Sequence, residues 1–160
     1  IEELFFRGVL VQESFHNVSI LLIVITSSLI FSAFHFIKIP EILDPVIRWD
    51  TGLMYLYEAI TGYNITFKVD AFVSLFLFGV GLSIIKIRTK SVYYCIGLHA
   101  CFVFLIKIYK QNSVVNFNSD YIGYISTYDH FIGLVAIFFL FLYVSVYIFY
   151  ILSNDVKNTY

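Results

Sequence analysis

Two apolar runs, Val69–Ile87 (VDAFVSLFLFGVGLSIIKI) and Val92–Ile108 (VYYCIGLHACFVFLIKI), decide the fold. Each approaches the roughly 20 mainly apolar residues that a bilayer-crossing helix needs. Only a tight basic turn, Lys86-Ile87-Arg88-Thr89-Lys90-Ser91, joins them. Charge in the first run is confined to Asp70 and Lys86; the second holds His99 inside and Lys107 near its end. Two more runs flank them. Val18–Ile37 is uncharged apart from the titratable His35, and Phe131–Leu152 is the longest and most aromatic, with no charge. Ahead of all four, Glu2–Phe15 reads as a helix with three acids and an arginine, either the end of a further span or a helix inside the bundle. The expected fold is all-α: a polytopic transmembrane helix bundle of about four to five helices, forming one domain over residues 1–160.

Composition agrees. Of 160 residues, 60% are apolar and 20% aromatic, against 13% charged, where a soluble domain has about 25% charged residues. Mean hydropathy is +0.87. A disordered chain, a collagen and a disulfide-stapled secreted domain are excluded. The net charge of −1 argues against a nucleic-acid partner, because phosphate binding needs a basic surface. The expected location is an integral, multi-pass position in the cell (inner) membrane, with membrane lipid as a partner. The chain opens on Ile1-Glu2-Glu3 without methionine, and the expectation is a piece that lacks N-terminal spans. Cys95 and Cys101, six residues apart on one helix, point about 120° apart and are not expected to pair.

The connections differ in kind. Residues 38–68 contain Pro40, Pro45 and an aromatic stretch from Trp49 to Tyr57, which suits the membrane interface. Residues 111–129 are polar. The basic turn favours the cytoplasmic side, but Lys38, Arg48, Lys68, Lys107 and Lys110 flank the opposite loops, so the charges leave orientation open.

An ionisable side chain is costly in lipid, and each one is a candidate for function. Glu3 and Arg7 lie four apart on one helix face, so an ion pair is available; Glu2 lies on another azimuth, free for other work. His35 sits within a span, with Phe31 one turn earlier. His99 sits within another, beside the small residues Gly97, Ala100 and Cys101, which either pack against a helix or leave room for an extended peptide. Taken singly, these are ordinary helix features. Glu13-x-x-His16 has the spacing of one half of a di-iron motif, but no second copy exists, and a metal role there is disfavoured. His130 beside Asp129 suits an interface. Taken together, a glutamate and two histidines in separate apolar helices can converge on one buried point. A glutamate there suits a general base, and a histidine can donate to a developing oxyanion. There is no HExxH zinc motif and no Gly-x-Ser-x-Gly elbow.

The ordered motifs Glu2-Glu3-x-x-x-Arg7, Phe31-x-x-x-His35 and Ile96-Gly97-Leu98-His99-Ala100 resemble the CPBP family. These are intramembrane proteases that include the CAAX prenyl endopeptidases and Abi-type bacterial relatives tied to bacteriocin maturation or self-immunity. The likeness extends through Glu2–Gly8, Ser27–His35 and Phe78–Ala100, most of residues 1–110. It implies an intramembrane endopeptidase in which Glu2 and His35 activate water and His99 stabilises the oxyanion or completes the polar site. Glu3, Arg7 and Phe31 are the supporting residues. It implies a peptide or protein substrate and no required cofactor; a divalent metal such as zinc, if present, would fall to Glu2, His35 and His99. Many members have asparagine four residues after the third-motif histidine. Here that position is Val103, which lacks a donor; either another donor serves or catalysis is weakened. Two other functions remain open at this point: a catalytically silent peptide-binding or self-immunity protein, and a proton-coupled transporter, against which stands the lack of an inverted repeat.

Overall fold

The computed structural model describes residues 2–11, 18–36, 48–54, 57, 68–125 and 133–157, the last seven as backbone only. The described residues are helical with no strand. In chain order they form α1 (Leu4–Leu10), α2 (Ile20–Phe34), α3 (Val69–Thr89), α4 (Val92–Asn112), a 3₁₀ turn (Ile122–Tyr124) and α5 (Leu134–Lys157). Glu13, His16, Asp129 and His130, and the prolines Pro40 and Pro45, lie outside the described residues.

The expected helices are present, with corrected ends. The first is π-helical over Leu4–Leu10 and turns at Val11. α2 has 15 residues, about 22 Å of rise, against the roughly 30 Å hydrocarbon core of a bilayer. It is shorter than its apolar run because His35 and Phe36 leave the helix in a turn, their amides bonding back to Ser32 and Ala33 carbonyls. α4 runs beyond Ile108 to Asn112, since Lys107 and Lys110 extend the helix with side chains able to reach polar surroundings. α3 and α4 are long and apolar enough to cross a membrane; the α2 and α5 apolar stretches are shorter. Asp70 in the first turn of α3 and Lys86 and Arg88 in its last complement the helix dipole. The turn to α4 is made by Lys90 in the left-handed conformation (φ 56°), its N–H bonding to the Lys86 carbonyl at 2.8 Å. Trp49 and Tyr57 are exposed.

α3 is the central element, contacting α1, α2, α4 and α5. Its close approach to α2 rests on small residues. Ser27, Ser28, Ser32, Ser74 and Ser83 are all buried. Most satisfy their hydroxyls locally: Ser32 bonds the Ser28 carbonyl, Ser74 that of Asp70 and Ser83 that of Gly79, at 2.9–3.0 Å. Ser27 instead ties α2 to α1 through the Phe6 carbonyl at 3.2 Å. Phe6, Phe31, Phe36, Ala71 and Leu75 form the apolar core around them.

Gly79 marks the tightest point. A Cβ there would stand 3.1 Å from Ser28 Cβ, 3.2 Å from Arg7 Nη2 and 3.3 Å from Phe31 Cδ1. Gly79→Ala is therefore expected to destabilise by about 1–3 kcal/mol, the usual cost of overpacking. A lowered unfolding midpoint in detergent checks this. α5 docks on α3 at Gly81, where a Cβ would meet Tyr143 at 3.2 Å. The outer faces of α4 and α5 expose Tyr93, Phe104, Phe138, Phe139 and Phe141, a surface suited to lipid and far more apolar than water-facing helices carry.

Candidate active site

The site begins with a buried arginine. Arg7 is fully buried and Glu3 is 4% exposed. An unpaired buried charge is costly, and Arg7 is held from three sides. Nη1 donates to Glu3 Oε1 at 3.1 Å, Nη2 donates to the Gly79 carbonyl at 3.0 Å, and the guanidinium lies 4.3 Å from the Phe31 ring centroid. The expected Glu3–Arg7 pair is thus present, and it joins α1 to both α2 and α3.

Phe31 also packs on both histidines, with ring centroids 4.4 Å from His35 and 5.9 Å from His99. His35, at the C-cap of α2, places Nδ1 2.8 Å from the Phe31 carbonyl. A carbonyl only accepts, so Nδ1 carries the proton. His99, on α4, places Nδ1 2.8 Å from Glu3 Oε1. One oxygen of Glu3 thus accepts from both Arg7 and His99.

Glu2 is exposed and His35 and His99 are half-buried. One ligand atom from each lies within 4.8 Å of the others. Two partners of one water, each about 2.8 Å away at the tetrahedral angle, stand about 4.6 Å apart, so the cluster has the spacing to share a water. One carboxylate and two imidazoles are also a donor set that fits a divalent cation such as zinc. Glu2, His35 and His99 would hold it, and it would supply Lewis-acid polarisation of a carbonyl.

Glu2, Glu3, Arg7, Phe31, His35 and His99, the six residues of the family-like motifs, therefore meet in one place. Two contacts escaped the sequence reading: Glu3 with His99, and Arg7 with the Gly79 carbonyl. Both are long-range, spanning 96 and 72 positions, and local spacing names no partner for either. The small-residue face of α4 finds no packed helix among the described residues: a Cβ at Gly97 meets nothing within 4 Å, and Ala100 and Cys101 are exposed. Val103, one turn after His99, is 39% exposed. Cys95 is buried, with Sγ 3.3 Å from the Leu82 carbonyl; it and the exposed Cys101 are free thiols, as expected.

No curated protein and no solved structure matches the chain. The family model of the Type II CAAX prenyl endopeptidase Rce1-like proteins matches residues 1–105, the stretch that carries every residue of the cluster. With two membrane-length apolar helices beside that match, this is a membrane protein, and it belongs to the Rce1-like family of CAAX-type intramembrane proteases.

Proposed function

We propose that the chain is an intramembrane endopeptidase working through glutamate- and histidine-activated water. The observation that carries the reading is the approach of Glu2, His35 and His99 to within 4.8 Å from three separate helical segments. Glu2, the accessible carboxylate, takes a proton from water as the oxygen attacks a peptide carbonyl carbon. His35, with Nδ1 committed to the Phe31 carbonyl, orients the water by accepting a hydrogen bond at Nε2 from the O–H that stays on the oxygen. His99 in its protonated form donates from Nε2 to the oxyanion, with Glu3 as counter-ion. The intermediate collapses by breaking the C–N bond, and Glu2 returns its proton to the leaving amine. No step uses a metal.

The substrate is a peptide or protein reached within the membrane. The apolar flanks of α4 and α5 support a multi-pass chain in the cell membrane with lipid as its surroundings. Tyr143 packed against Gly81 supports including α5 in the same domain, 1–160. The test is cleavage of a peptide library by the full-length protein in nanodiscs, with and without a chelator. Cleavage should survive chelation, and His35→Gln should slow it roughly 10²-fold or more. Loss on chelation with recovery on adding zinc would overturn the metal-free form.

A further inference from the structure

Glu3 is a buried ionisable group whose part in the proposed chemistry goes no further than balancing the charge of His99. It neighbours Glu2 yet stays outside the three-group cluster. Its Oε1 accepts from Arg7 Nη1 at 3.1 Å and His99 Nδ1 at 2.8 Å, while Oε2 has no partner among the described residues. Arg7 is itself pinned by the Gly79 carbonyl and the Phe31 ring, so the carboxylate is held against a fixed guanidinium. The His99 ring also meets the Phe31 and Phe78 rings edge-on, with centroids at 5.9 and 5.6 Å, contacts that do not select a tautomer. Among the described residues of α4 only Cys95 is buried, its Sγ tying the helix to the bundle at the Leu82 carbonyl.

We propose that Glu3 is a positioning residue that fixes the tautomer and orientation of His99. A carboxylate only accepts, so its bond to Nδ1 keeps the neutral ring's proton there and turns Nε2 to the cluster, the atom that gains the second proton in the charged form that donates to the oxyanion. The Phe31 carbonyl imposes the same tautomer on His35. The two histidines, from different helices, are thereby set alike by two different acceptors. The Glu3–Arg7 pair then has a purpose beyond closing a buried ion pair: Arg7 holds the carboxylate in place, and the carboxylate holds His99. This rests on the protease reading for its consequence in catalysis, though not for the tautomer.

The test combines nitrogen NMR of histidine-labelled full-length protein with kinetics, using His99→Asn to assign the signal. In the wild type, at a pH where the ring is neutral, His99 should carry its proton on Nδ1. The double variant Glu3→Met/Arg7→Met removes both charges and leaves neither buried alone, so the fold is retained. There His99 should lose its single tautomer, and kcat should fall about 10–100-fold with KM unchanged, the scale on which an outer partner acts through a working histidine. Glu3→Gln keeps an acceptor oxygen and should restore the tautomer and most of kcat. A neutral wild-type His99 protonated on Nε2, or a folded double variant with wild-type kcat, overturns the proposal. The tautomer is read without substrate, so a protein that cleaves nothing would refute the protease reading while the NMR arm still decides the role of Glu3.

Discussion

Arg7→Met destabilises the bundle by about 3–5 kcal/mol, the cost of removing one partner of a buried ion pair. Three observations set that magnitude. The side chain is fully buried, its two hydrogen bonds reach α1 and α3, and its guanidinium faces an aromatic ring of α2. The substitution keeps an apolar stem but strips the Gly79 carbonyl of one donor and leaves the Glu3 carboxylate with His99 alone. The change should appear as a large drop in the unfolding midpoint in detergent. Glu3→Met/Arg7→Met should cost clearly less than Arg7→Met alone, because no buried charge is then left unpaired. An Arg7→Met protein as stable as wild type would show that the pair contributes little to holding α1 against α3.

Glu2→Ala has the opposite profile. Cleavage falls roughly 10²–10⁴-fold, the typical contribution of a general base, and so to the assay background. Stability stays within about 0.5 kcal/mol, as for surface substitutions away from structural features, because Glu2 is exposed. The contrast between neighbours is informative. Glu2 and Glu3 are the same residue type one position apart, yet one faces the open cluster and the other closes a buried pair. A shared loss of stability at both positions would contradict this division.

The helices were legible because apolar runs of membrane length have few alternatives. Their ends were not. The turn at His35 and Phe36 depends on local backbone bonding, and the continuation of α4 past Ile108 depends on where Lys107 and Lys110 can reach. The π-helical form of α1 was equally hidden, since the pattern of Leu4–Leu10 does not distinguish it from an α-helix. Within the site, Glu3–Arg7 was legible from i, i+4 spacing, and Glu2, His35 and His99 from polar residues in apolar surroundings. The bond between Glu3 and His99 spans 96 positions in sequence. It exists only because α1 and α4 meet, and local spacing carries no trace of that meeting. The same holds for Gly79: its need for a small residue comes from Ser28, Arg7 and Phe31 converging on it.

The central claim is that Glu2 activates the water that cleaves a peptide. Its most direct test is mass-spectrometric reading of a peptide library exposed to full-length protein in nanodiscs, wild type beside Glu2→Ala. The account predicts cuts in the wild-type sample that vanish in an equally folded Glu2→Ala sample. Cuts that persist in the variant at the wild-type rate would contradict it.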